Sequence, residues 1–234
     1  MRKFDIAVIG GGPGGYVAAI RGAQIGKKVC IIDKDKLGGV CLNWGCIPTK
    51  ALLKNAEVYH TIKNSNNYGI SIGEISVDYK KTIKRSRDVA GRLSKGIEFL
   101  MKKNKVTHIM GTGKLTSKNT VKIVKGDDNE TIKVKNIILA TGARPKSYPG
   151  LEYDGKRVIS SKEAMVLETL PKKMIIIGSG AIGCEFAYYF NEFGTEVHLI
   201  EVKDNILPIE DIDLGKELEK QFINNGVTIS TGTE

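Results

Sequence analysis

A glycine fingerprint that occurs twice, 168 residues apart, constrains this chain more than any other feature. The first copy, "FDIAVIGGGPGGYVAAIRGAQIGKKVCIIDKD", reads as strand, glycine-rich turn, helix and a second strand ending in an acid. The helix is small and apolar on one side, through Val17, Ala18, Ile20 and Ile25. Gly10, Gly12 and Gly15 spell G-x-G-x-x-G. In such a turn the first glycine makes the bend, the second lets a pyrophosphate approach, and the third lets helix pack on strand. The helix start then offers N–H groups and the positive end of its dipole to phosphate. Asp33 is placed to accept a ribose hydroxyl.

One such fingerprint is a weak signal; a duplicated one is strong. In "KMIIIGSGAIGCEFAYYFNEFGTEVHLIEVKD", Gly178, Gly180 and Gly183 stand where Gly10, Gly12 and Gly15 do. Gly194 answers Gly26, Val197 answers Val29, and Glu201 answers Asp33, all at the same offset. The expected fold is therefore α/β, with two Rossmann-like, three-layer dinucleotide-binding domains, residues 1–148 and 149–234, the second incomplete. Two dinucleotide sites on one chain suggest electron transfer between two cofactors. Glu201 bears on the second: a carboxylate there accepts the 2′-hydroxyl of NAD and repels a 2′-phosphate. Val202 and Lys203 follow it, with no arginine, which favours NAD over NADP.

Between the copies, "KALLKNAEVYHTIKN" and "SVDYKKTIKRSRDVAGRLSKGIEFLMKKNK" read as helices, the second through Ile83, Val89, Leu93, Ile97 and Leu100. "VTHIMGTGKL", "TVKIV" and "TIKVKNIILATG" read as short strands, with "KGDDNE" as a turn. "ATGARPKSYPG" reads as a crossing between domains. A helix around Leu214–Asn224 and a strand at Val227–Ser230 complete the second copy.

The net charge is +10, but the lysines are scattered and no basic stripe is interleaved with aromatics. That pattern fits a solvated surface rather than nucleic-acid binding, and the excess can attract anionic nucleotides. No apolar run approaches the ~18 residues a membrane span needs. No secretory leader precedes the first strand, so a cytoplasmic location is expected. His60, His108 and His198 have no carboxylate or cysteine in a recognisable spacing and read as surface or core residues.

Four cysteines are too few for a disulfide scaffold at this length. Cys30 and Cys184 read as packing residues. Cys41 and Cys46, in "GGVCLNWGCIPTK", differ. A metal site usually needs four ligands, and no histidine is close, so no metal is expected. A structural disulfide is disfavoured in a cytosolic chain. A redox disulfide remains, with both sulfurs on the first turns of a helix whose dipole stabilises a thiolate, and with Pro48 suiting that N-terminal turn.

This cysteine motif behind "VIGGGPGGYVAA" resembles the disulfide reductases of the pyridine-nucleotide flavoprotein family over the whole chain, most of all members that oxidise dihydrolipoyl groups with NAD. The resemblance implies a route from a dithiol through the Cys41–Cys46 disulfide and FAD to NAD. It places FAD on Gly10, Gly12, Gly14, Gly15 and Asp33, with further contacts at Gly113, Thr141, Gly142 and Ala143. Cys46 would lie nearest the flavin and Cys41 would exchange with substrate. Lys50 would sit by the flavin ring and pair with Glu185; the alternative for Glu185 is a plain first-turn acid that suits its helix dipole. Gly178, Gly180, Gly183 and Glu201 would hold NAD. Implied partners are the lipoyl domains of 2-oxoacid dehydrogenase or glycine-cleavage complexes, and a second copy in a homodimer. Glutathione and mercuric reductases share the cysteine motif, but Glu201 argues against an NADPH user and no second cysteine pair supports mercury. A nucleotide-binding module without turnover is the reading from another class. Trp44 stands where the family usually has a small aliphatic residue. The family's later Gly-Asp pair, C-terminal interface domain and His–Glu dyad have no counterpart, so the sequence reads as a fragment or truncated product.

Overall fold

The computed structural model describes residues 1–233. Two compact units emerge, residues 1–48 with 87–153, and residues 49–86 with 154–234. In chain order come first β1 (Lys3–Ile9), α1 (Pro13–Gln24), β2 (Val29–Asp33), α2 (Gly39–Trp44), α3 (Cys46–Lys63) and α4 (Tyr79–Lys103). Strands β3 (Thr107–Met110), β4 (Thr112–Ser117), β5 (Thr120–Lys125) and β6 (Asp128–Leu139) follow. The remainder holds α5 (Ser161–Ala164), β7 (Lys173–Ile177), α6 (Ala181–Glu192), β8 (Glu196–Ile200), α7 (Ile212–Asn224) and β9 (Thr228–Ser230). The α/β expectation holds, and no helix among the described residues is long and apolar enough to cross a membrane.

The first unit is built on a six-stranded sheet of order β3-β2-β1-β6-β5-β4. Strands β3, β2, β1 and β6 run parallel, while β4, β5 and β6 form an antiparallel meander. The parallel strands bury both of their faces, because successive side chains alternate between them. Ala7, Ile9, Cys30 and Ile32 pack with Val121, Ile123, Ile132 and Val134 of the meander. Val8, Val29 and Ile31 pack on the other face with Ala19 of α1 and Met101 of α4. Continuous apolar runs such as "VCII" are what a strand buried on both sides requires. β1 leads to β2 on one side and is paired by β6 on the other, so the chain changes direction across the sheet between β1 and β6. In open α/β sheets, ligands bind at that switch point, beyond the carboxyl ends of the strands.

Two local readings are corrected. The stretch 125–130 is not a six-residue turn: Lys125 pairs with Asp128, so the loop is Gly126–Asp127 alone. Gly126, at φ 57, supplies the bend, and the polar residues after it belong to an exposed stretch of β6. On α4 the inward line is Ile83, Ser86, Ala90, Ser94 and Met101, while Leu93 is exposed. Ile83 lies on that line and Ile97 packs against the core beside it, and two buried serines interrupt the apolar stripe. Finally, the two cysteines do not share one helix. Cys41 lies on α2 and Cys46 opens α3, with the chain broken at Gly45.

The second unit carries a three-stranded parallel sheet, β7-β8-β9. Its core includes Phe186, Tyr189 and Phe190 of α6, with Val197 and Leu199 of β8. Tyr59 stacks on Phe193, and Tyr79 and Tyr189 meet the Phe193 ring edge-on.

Candidate functional site

The duplication read from the sequence extends to individual hydrogen bonds. Ile6 pairs with Val29 in one unit and Met174 with Val197 in the other, at the same 168-residue offset. Gly10 N–H donates to Ile32 O and Gly178 N–H to Ile200 O, both at 2.8 Å. A Cβ on Gly15 would lie 1.8 Å from the carbonyl oxygen of Gly10, and one on Gly183 1.9 Å from that of Gly178. Helix and loop therefore touch at a place where only glycine fits. Gly12 and Gly180 are the N-caps of α1 and α6, and neither helix start has a side-chain cap. The N–H groups there, including that of Gly14, are suited to a phosphate.

The acid at the end of each second strand turns back to the glycine loop. Asp33 Oδ2 accepts from Gly11 N–H at 2.5 Å, and Oδ1 accepts from Asp35 N–H. Glu201 Oε2 accepts from both the N–H and the hydroxyl of Ser179 at 2.8 Å, and Oε1 accepts from Lys203 N–H. Glu201 is buried and Asp33 only partly so. Burial opposes the charge of Glu201, but the bonds from Ser179 and Lys203 outweigh it and hold the carboxyl below its ordinary value. Ser179, whose hydroxyl has no equivalent at Gly11, was not singled out by the fingerprint because it occupies a variable position.

Around the first loop, a Cβ on Gly10 would lie 2.0 Å from Ala140 O and 3.2 Å from Thr141 N, so Thr141 begins beside the loop at the end of β6. Gly142, at φ 70, and Ala143 follow in exposed chain. Gly113 has a packing reason of its own: a Cβ there would lie 3.2 Å from Ile9 and 3.4 Å from Ile32. Gly39, at φ 59, crosses Gly12 so closely that a Cβ would come within 2.5 Å of its Cα. The cysteine segment thus starts against the first glycine loop.

Cys41 is half-buried and Cys46 exposed. A Cβ on Gly45 would lie 3.1 Å from Val40 O and 3.4 Å from Cys41 Cα, so glycine lets the chain fold back between the two cysteines. Cys46 is the first residue of α3. Burial pushes the Cys30 thiol up to about 12 and that of Cys184 up to about 11, which keeps both protonated. Within the second unit, Lys50 Nζ donates to Glu185 Oε1 at 2.5 Å. Glu185 lies in the second turn of α6, which removes the reading as a first-turn acid.

Asn43 and Trp44 stand between the cysteines. The buried Asn43 amide donates to Leu37 O and Gly39 O and accepts from Ser94 Oγ. Trp44 lies under the Arg87 guanidinium. Spacing gave no signal of these contacts, nor of His60, whose Nδ1 lies 3.0 Å from Oε2 of the buried Glu192. His198 Nε2 lies 2.8 Å from Ser230 Oγ. His108 sits on β3, where burial draws it below the ordinary imidazole value. No cluster of metal-ligating side chains exists among the described residues.

The sequence pattern of the pyridine nucleotide-disulphide oxidoreductase family matches residues 4–234. The dihydrolipoyl dehydrogenase of Chlorobaculum parvum is 46% identical over 233 residues, 99% of this chain and 50% of the relative. That of Bacillus subtilis is 41% identical, over 99% of this chain and 51% of the relative. The flavoprotein disulfide reductase RclA of Escherichia coli, solved as a Cu(II) complex, superposes with a TM-score of 0.83 at 26% identity. That match covers all of this chain and 50% of RclA. The chain spans about half the length of the curated relatives it matches.

Proposed function

The chain belongs to the pyridine nucleotide-disulphide oxidoreductase family, and on that premise we propose that it carries the redox half of a dihydrolipoyl dehydrogenase, passing electrons from a dihydrolipoyl dithiol through Cys41 and Cys46 to FAD and on to NAD. The observation that carries this reading is the placement of the cysteines on either side of the break at Gly45, in a segment that starts against the first glycine loop. As functional divisions, residues 1–148 would bind FAD and hold the redox pair, and residues 149–234 would bind NAD. The uncapped start of α1 and the glycine-lined cradle at Gly10, Gly12, Gly14, Gly15 and Gly39 fit a pyrophosphate, with Asp33 for the ribose and Thr141–Ala143 alongside. The matching loop at Gly178, Gly180 and Gly183 fits the second dinucleotide, and the charged Glu201 favours NAD by opposing a 2′-phosphate.

In the proposed exchange, a substrate thiolate attacks the Cys41 sulfur, the Cys41–Cys46 bond breaks, and Cys46 leaves as a thiolate. The second substrate thiol then displaces Cys41, closing the substrate disulfide and leaving two electrons on the cysteine pair. Lys50, held by Glu185, would sit by the flavin ring. The chemistry the flavin supplies when bound is two-electron transfer between this pair and the nicotinamide. Lipoyl domains of 2-oxoacid dehydrogenase or glycine-cleavage complexes would deliver the dithiol, and a homodimer is the expected assembly.

The test is spectroscopic. The purified chain should be yellow, and partial reduction should raise a thiolate-to-flavin charge-transfer band. Cys41→Ser should keep the band and Cys46→Ser should abolish it. A band that survives in Cys46→Ser would reverse the roles; a chain that takes up no flavin would leave a nucleotide-binding module without turnover.

A further inference from the structure

We propose that Arg87 of α4 is a positioning residue for the Cys41–Cys46 pair, holding the last turn of α2 through the Asn43 carbonyl and the Trp44 ring. The inference rests on the reading of these cysteines as a redox disulfide. Helix α2 is only six residues long, so its last carbonyls have no partners within the helix. Arg87 Nη2 donates to one of them, Asn43 O, at 2.7 Å. The same guanidinium lies with its Cζ 4.4 Å from the centroid of the Trp44 ring. Seven residues further along the same face of α4, Ser94 Oγ donates to Asn43 Oδ1 at 2.9 Å. Two residues of α4 therefore grip Asn43 and Trp44, two of the three residues between Cys41 and the break at Gly45.

The grip matters because of what joins the cysteines when they are reduced. A disulfide needs Cα atoms about 4.4–6.8 Å apart. Once the S–S bond opens, the direct link is the chain through Gly45, the residue type with the greatest backbone freedom. Holding residues 43 and 44 against α4 keeps the end of α2 in place in the dithiol state. The two thiols then meet at a high effective concentration, and the disulfide re-forms readily. A planar guanidinium can bond the carbonyl and stack on indole together; lysine cannot do both. The bulky Trp44 thereby gains a role that a small aliphatic residue at this position would not fill.

The experiment equilibrates the 234-residue chain with mixtures of reduced and oxidised dithiothreitol. Oxidised dithiothreitol takes two electrons and two protons from Cys41 and Cys46; its ring S–S bond breaks as theirs forms. Alkylation of remaining thiols and peptide mass mapping give the equilibrium constant. Arg87→Gln should shift it about tenfold toward the dithiol, equivalent to about 30 mV for a two-electron couple. Trp44→Leu, which spares the bond to the carbonyl, should shift it the same way by less, and it carries the test if Arg87→Gln does not fold. Arg92→Gln, exposed on the same helix, should leave it unchanged. If the wild-type chain forms the disulfide and both Arg87→Gln and Trp44→Leu match its constant, the positioning role is overturned. If the wild-type chain forms no Cys41–Cys46 disulfide, the redox-pair reading itself falls.

Discussion

Glu201 holds its charge in a buried place, and the cost is met by donors supplied from the loop it tethers. Glu201→Gln would keep one acceptor oxygen and set an amide NH2 against the donors on the other side, and a buried donor left unpaired costs about 1–3 kcal/mol. The sign of the pH dependence follows from the lowered carboxyl. A group whose folded value lies below its unfolded value, about 4.3 for glutamate, stabilises the fold above that pH and loses the contribution as pH falls through the folded value. Glu201→Gln should therefore lower the urea midpoint at pH 7, and the gap from wild type should close as the pH drops below about 4. A gap that stayed constant from pH 7 to pH 3 would show that the charge is not what stabilises the loop. Asp33 makes the same kind of tether with fewer donors and more exposure, so the corresponding variant should show a smaller gap.

At the scale of elements, the two strand–loop–helix–strand units were legible because their constraints are local. A helix that touches its own preceding loop must have glycine at Gly15 and at Gly183, and the spacing of glycines and acid records it. The long helices α3 and α4 were legible for the same reason. What joins distant segments was not. The grip of Arg87 on Trp44 spans 43 residues of sequence, and the pairing of His60 with Glu192 spans 132; neither leaves a periodic trace. On α4, Ser86 and Ser94 are buried with hydrogen bonds to Ile83 O and Asn43 Oδ1, which an apolar pattern cannot register. The local constraint makes a sharp prediction. Gly183→Ala would force a methyl to within 1.9 Å of Gly178 O, and overpacking of this kind costs typically about 1–3 kcal/mol. Gly194→Ala, at φ 92 with nothing within 4 Å, strains only the backbone. Both should lower the melting temperature, but only Gly183→Ala should weaken NADH binding in a fluorescence titration. Equal NADH affinity in the two variants would detach the loop from the nucleotide.

For the molecule as a whole, the open question is which group takes the proton from a dithiol. A positioned base is typically worth about 10²–10⁴-fold in rate. Of the three histidines, His60 has a carboxylate partner, but it lies fourteen residues beyond Cys46 on α3, about 21 Å of helical rise. His198 is engaged by Ser230 on the neighbouring strand. His108 stands on β3, the outer strand of the six-stranded sheet, in a partly buried position that disfavours its charged form. Of the three, His60 is the one with a carboxylate hydrogen-bond partner among the described residues. The relatives named dihydrolipoyl dehydrogenase are about twice as long as this chain. NADH formation from dihydrolipoamide by the 234-residue chain alone should therefore stay near background, even with FAD supplied. It should rise by at least about two orders of magnitude, the low end of what a base contributes, when the remaining half of such a relative is provided as a second polypeptide. The measurement is NADH absorbance under saturating dihydrolipoamide and NAD. Rapid turnover by the isolated chain would mean that one of its own groups, His108 first among them, serves as the base.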